Sequence, residues 1–183
     1  MLDLTRIIAG PVCGRTLAAH GADVMRVTAP HLPFVPALVT DAGRGKLSCH
    51  IDLQTEDGRQ TLRRLITEAD VFVQGYRPGG LDRWGFSPED VASIRPGIVY
   101  VSLSAYGHLG PWSNRRGFDS LVQTASGINR AEAEANGREG PMALPCQALD
   151  HASGYFMAAA AMAALARRAK GGGSWHIRVA LAR

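Results

Sequence analysis

The chain has 183 residues, 46% hydrophobic and 20% charged, which suffices for one ordinary domain with a real core and leaves no disordered tract. Its net charge is +4 and its pI about 9.3. The basic residues are dispersed in pairs, Arg63-Arg64, Arg115-Arg116 and Arg167-Arg168, without the dense stripe of a nucleic-acid face. A phosphorylated small molecule therefore suits the charge better than DNA or RNA.

In chain order, Leu2 to Leu4 reads as a strand and Pro11 to His20 as a helix stopped by Gly21. Asp23 to Val27 is a second strand. A turn-rich loop with Pro30, Pro33 and Pro36 leads to Ser48 to Leu53, read as the third strand. Thr55 caps a helix running to about Ala69, with Leu62, Leu65 and Ile66 on one face. Val71 to Gln74 is a buried strand, followed by the breaker Arg77-Pro78-Gly79-Gly80. Ser87-Pro88-Glu89-Asp90 combines a capping serine, a first-turn proline and first-turn acids, and starts a helix. Ile98 to Leu103 is a strand and Phe118 to Ser126 a helix, with loops from Gly107 to Gly117 and from Gly137 to Pro145. A long helix covers about Ala152 to Lys170 and ends on Gly171-Gly172-Gly173, and Trp175 to Leu181 is the last strand.

Strand–helix alternation of this kind predicts an α/β fold, a Rossmann-like, mainly parallel sheet with flanking helices, over residues 1–183. The chain ends in or just after a strand without a closing helix, so a fold cut short is expected. Cys13, Cys49 and Cys146 lie far apart, with no disulfide framework and no metal-ligand spacing. No basic and then apolar leader opens the chain. The longest small-and-apolar stretch, Ala152 to Ala166, falls short of the ~20 residues that span a bilayer. A cytoplasmic protein with no metal and no membrane or nucleic-acid partner is expected.

In open α/β sheets ligands bind beyond the carboxyl ends of the strands. Ile8-Ala9-Gly10-Pro11, Thr28-Ala29-Pro30, Gly75-Tyr76-Arg77-Pro78-Gly79 and Ala105 to Pro111 fall there. Neither GxGxxG nor GxxxxGK[ST] occurs, so the dinucleotide and P-loop readings lack their fingerprints. Asp150 opens the alanine-rich helix. A carboxylate there fits a helix cap, or a nucleophile with small neighbours that leave room for a substrate.

The motifs recur in one order. Leu2-Asp3-Leu4-Thr5-Arg6 with Ala9-Gly10-Pro11 comes first, then Gly21-Ala22-Asp23-Val24, Gly45-Lys46-Leu47-Ser48 and Ile51-Asp52-Leu53. Tyr76-Arg77-Pro78-Gly79, Leu81-Asp82-Arg83-Trp84-Gly85-Phe86, Gly110-Pro111, Gly117-Phe118-Asp119 with Gln123, and Asp150 with Gly154 follow. In this the chain resembles the class III CoA-transferase family, the CaiB/BaiF type that includes formyl-CoA transferase and α-methylacyl-CoA racemase. The resemblance implies that Asp150 is the catalytic carboxylate, attacking an acyl-CoA thioester to form an aspartyl-acyl anhydride. CoA and a carboxylic acid acceptor then exchange on the aspartyl group through an aspartyl-CoA thioester. It further implies CoA contacts at Ile8, Ala9, Ile51, Asp52, Leu53, Gln54, Gly75, Tyr76 and Arg77, with Arg83 and Arg116 near the phosphates. Acyl-CoA is then a substrate, and no covalently bound cofactor is expected.

The sequence also departs from the family pattern. Thr28 and Ala29 stand where many members carry an acid and some an arginine, and Phe118 fills the place of the racemases' histidine. The last change argues against two-base racemisation. Members of the family are also much longer, with a second small domain and interlocked chains. The resemblance therefore implies an N-terminal portion that works as a homodimer or with a complementary half. The alternatives are a non-catalytic CoA-binding subunit and an acyl-CoA racemase or isomerase.

Overall fold

Six strands form one sheet in the computed structural model, which describes residues 1–183. They are β1 (Leu2–Leu4), β2 (Val24–Thr28), β3 (Lys46–His50), β4 (Val71–Gln74), β5 (Val99–Ser104) and β6 (Trp175–Ala180). The order is β3-β2-β1-β4-β5-β6 and every neighbouring pair is parallel. The helices are α1 (Ala9–Ala19), α2 (Pro36–Ala42), α3 (Glu56–Thr67), α4 (Pro88–Ile94), α5 (Asp119–Ala125), α6 (Ile128–Ala135) and α7 (Ala148–Gly171). This is the expected Rossmann-like α/β sheet. No helix is long and apolar enough to cross a membrane.

Alternation along β4 and β5 divides the core between the two faces of the sheet. Val71, Val73, Val99 and Val101 point to α1 and α7, where Cys13, Leu17, Met157, Ala158 and Ala161 meet them. Phe72 and Tyr100 point the other way, onto Leu62 and Ile66 of α3 and Val91 of α4. Local signals hold where they were strongest. The Thr55 hydroxyl accepts from Gly58 N at the start of α3, and Ser87 and Asp90 form a reciprocal capping box on α4.

The connection from β5 to β6 carries α7 on the α1 face, although α4, joining β4 to β5 in the same direction, lies on the other. Its hand is therefore opposite to that of the β4–α4–β5 unit, against the usual rule. The route leaves Tyr100, Ser102, His176 and Arg178 facing an open recess of about 460 Å³ beside α4. On the α1 face a glycine permits close packing. A Cβ at Gly154 would stand 2.5 Å from Ala9 O and 2.7 Å from the Val12 Cβ, so α7 lies directly against α1.

Three expectations are corrected. The loop containing Pro36 holds α2, because Pro36 occupies a first helical position rather than a turn. The third strand is Lys46–His50, earlier in the chain than Ser48 to Leu53, its register being set by pairing with β2. The long helix begins at Ala148, ahead of Ala152, which puts Asp150 inside the first turn.

Candidate active site

The loop between β1 and α1 is held by a buried ionic cluster. Lys46 Nζ lies 2.8 Å from Asp3 Oδ2 and donates to Pro11 O at 2.8 Å, and both charged side chains are 1% exposed. Thr5 donates its backbone N–H to Asp3 Oδ1 at 3.0 Å and its hydroxyl to the same oxygen. Gly14 makes room, since a Cβ there would meet Asp3 Oδ2 at 2.7 Å and Lys46 Nζ at 2.8 Å. Pinned in this way, the chain turns through Ile7 at φ 73°, a left-handed conformation that a β-branched residue adopts only under constraint. Ile8 and Ala9 follow, with Ala9 as the first residue of α1.

Asp150 reaches the same region from α7. It is not the helix cap: Gln147 holds the cap position and offers no side-chain bond. The orphan N–H of Asp150 instead donates to Asp119 Oδ2 at 2.8 Å, so a carboxylate from α5 caps α7. Asp119 is also hydrogen-bonded by the Gln123 amide. Gln123 Oε1 accepts from Leu144 N at 3.0 Å and its Nε2 donates to Cys146 O at 3.1 Å, tying the incoming loop to α5. The Asp150 carboxylate keeps no ion-pair or hydrogen-bond partner of its own, although the residue is only 6% exposed. Burial first, and then the negative charge of Asp119, push its pKa up from 3.8 to about 6.

Asp150 lines a cavity of about 380 Å³ beyond the ends of β1, β4 and β5. Ile8 and Ala9 form one wall with Ile7, and Gly75, Tyr76 and Arg77 form another. Arg115, Arg116 and Phe118 border it from the loop before α5. Arg6 lines it too, with its guanidinium carbon 4.7 Å from the centre of the Tyr76 ring. None of Arg6, Arg77, Arg115 and Arg116 is paired with a carboxylate, and Asp150 is the one acid in the lining. The space is therefore electropositive and suits an anionic ligand.

The cavity gathers Ile8, Ala9, Gly75, Tyr76, Arg77, Arg116 and Asp150 from the residues expected at the site. Ile51, Asp52, Leu53 and Gln54 lie apart, between β3 and α3, where Asp52 Oδ1 accepts from Gln54 N at 2.9 Å. Arg83 also lies outside the lining, in a short 3-10 turn, stacked 4.3 Å from the Trp84 ring. Arg6, Lys46, Asp119 and Gln123 belong to the sequence motifs, but the motifs alone assign them no role. Their roles depend on neighbours far along the chain.

The parallel sheet thus carries an unpaired carboxylate at a helix start with arginines around it. The model of CoA-transferase family III matches residues 1–183. Among relatives, the probable fatty acyl-CoA transferase Rv3272 of Mycobacterium tuberculosis is 36% identical over 99% of this chain and 49% of its own length. A succinate–glutarate CoA-transferase of Agrobacterium fabrum is 32% identical, over 99% of this chain and 49% of its own. The crystal structure of a CAIB/BAIF family protein from Brucella suis superposes with a TM-score of 0.89 at 33% identity, covering 99% of this chain and 51% of that one. The chain belongs to CoA-transferase family III. It spans about half the length of these relatives.

Proposed function

We propose that the chain takes part in CoA transfer between an acyl-CoA and a carboxylic acid, with Asp150 as the nucleophile. The observation that carries this reading is the unpaired Asp150 carboxylate at the wall of an arginine-lined cavity. A carboxylate oxygen attacks the thioester carbonyl, the C–S bond breaks, and CoA leaves as the thiolate from a mixed anhydride. The thiolate then attacks the aspartyl carbonyl and expels the acyl group as a free carboxylate, leaving an aspartyl-CoA thioester. An acceptor carboxylate attacks that thioester, and the returning thiolate takes up the new acyl group and restores Asp150. The electropositive lining stabilises the oxyanion of each tetrahedral intermediate. With a pKa of about 6, Asp150 is ionised in most molecules at neutral pH.

CoA or acyl-CoA enters as a substrate, wrapped by the segments around Ile8, Ile51 to Gln54 and Tyr76, with Arg83 and Arg116 toward its phosphates. Turnover depends on a complementary half, whether in a longer chain, a second copy or a partner polypeptide, and a cytoplasmic location fits such chemistry. Phe118 lines the cavity without a titratable group, which favours transfer over racemisation. The test is incubation of the protein and its complementary half with acyl-CoA and hydroxylamine, followed by peptide mass spectrometry. A hydroxamate at Asp150, absent in Asp150→Asn, is expected. Release of CoA with Asp150 unmodified would refute the nucleophile.

A further inference from the structure

The recess beside α4, about 460 Å³ in volume, holds a hydroxyl–imidazole pair that the chemistry at Asp150 does not use. Ser102 projects from β5 and His176 from β6 onto the same face of the sheet, and Ser102 Oγ lies 2.7 Å from His176 Nε2. Tyr76 and Ser104 line both this recess and the Asp150 cavity, but Asp150 borders only the second.

The imidazole is oriented and neutral. Its ring stands nearly perpendicular to that of Tyr100, with the centres 5.3 Å apart. Tyr100 is itself held by stacking on Phe72 at 5.1 Å and by donating its hydroxyl to Phe86 O at 3.1 Å. Burial first, then Arg178 and to a smaller extent His108, keep His176 below its ordinary 6.5 against the opposing pull of Glu89. With the ring proton on Nδ1, the Ser102 hydroxyl donates to Nε2. Serine alone is a weak nucleophile; an imidazole within hydrogen-bond reach, oriented by a third group, is what activates it.

The recess also supplies a donor for a developing oxyanion. Arg178, the register neighbour of Ser102 on β6, donates to His108 Nε2 at 3.1 Å and forms no ion pair with a carboxylate. Its remaining N–H groups are left to the recess. Across the lining, Arg178 and Arg183 are balanced by Asp82 and Glu89, so the space suits a neutral ligand, unlike the electropositive cavity at Asp150.

We propose that Ser102 and His176 form a separate catalytic pair that hydrolyses small neutral carboxylic esters. Ser102 Oγ bonds to the carbonyl carbon while its proton passes to His176 Nε2. The ester C–O bond breaks, and the alcohol leaves with that proton. Water then attacks the acyl-serine, a proton returns to Ser102 through His176, and the carboxylic acid is released. This activity requires neither Asp150 nor the CoA-transfer reading above.

Treatment of the protein with an alkyl fluorophosphonate, followed by peptide mass spectrometry, tests the proposal, with hydrolysis of p-nitrophenyl acetate measured alongside. Expected is a phosphonyl adduct on Ser102. In His176→Gln both the labelling rate and the hydrolysis should fall about 100-fold, the scale of general-base assistance. Circular dichroism checks that this variant is folded; if it is not, the wild-type peptide map decides alone. Absence of an adduct on Ser102, or an adduct formed as fast in His176→Gln, would overturn the proposal. Ester hydrolysis that persists undiminished in Ser102→Ala would overturn it equally.

Discussion

Replacing Asp150 by asparagine keeps the side chain's shape and removes the one charge that its surroundings oppose. In the folded chain the carboxyl titrates near 6, against an ordinary 3.8. Between those values the folded state holds a proton that the unfolded chain has released, so stability falls as pH rises through this window and levels off above it. The difference, at ~1.36 kcal/mol per pKa unit, caps the penalty at about 3 kcal/mol. The carboxylate faces an open cavity, so solvent screening reduces the penalty, and its first-turn position on α7 returns a few tenths of a kcal/mol to the charged form. About 1–2 kcal/mol remains. Asp150→Asn should therefore be more stable than wild type at pH 8 by that amount, seen as a rise in Tm of about 3–6 °C. The gap should close below pH 4, when both side chains are uncharged. Thermal and urea denaturation followed by circular dichroism across pH 3–8 would measure it. Equal stability at pH 8, or a gap that persists unchanged in acid, would refute the account of Asp150 as a strained, unpaired carboxylate.

Two further substitutions probe what surrounds Asp150. Asp119→Asn keeps an oxygen to accept the Asp150 N–H but removes the nearby negative charge, so Asp150 should titrate lower; NMR titration of its carboxyl carbon should show the midpoint moving down toward 3.8 while burial keeps it above that value. Gly154→Ala places a methyl group 2.5 Å from Ala9 O and should cost about 1–3 kcal/mol in denaturant unfolding, by pushing α7 off α1.

The sequence disclosed most where structure is locally determined. The apolar runs of β4 and β5, the Thr55 cap and the Ser87-to-Asp90 box each depend on neighbours a few residues away, and each stands as expected. β3 was misplaced because it is an edge strand with a mostly exposed, polar pattern, and only its pairing with β2 fixes its register. α2 was hidden by prolines that signal a turn and a helix start equally well. Within the site, the fold brings Ile8, Tyr76, Arg77, Arg116 and Asp150 into one cavity. What stayed illegible were long-range pairings: Asp119 with the Asp150 N–H, Asp3 with Lys46, and Arg6 with Tyr76. No local pattern announces that a carboxylate on α5 will cap α7, and locally Asp150 itself fits that cap as well as it fits a nucleophile.

The contact at Gly154 divides the cavity mechanically. α1 and α7 meet with backbone against side-chain base, leaving no layer of side chains between them that could slide or repack. The wall that carries Ile8, Ala9 and Asp150 is therefore a single stiff piece, anchored through Asp3 and Lys46 into the sheet. Ser113, Arg115, Arg116 and Gly117 border the cavity from a loop that is mostly exposed. On the reading of this cavity as a substrate site, the distance from Asp150 to the wall formed by Ile8 and Ala9 is set by backbone contact rather than by side-chain packing.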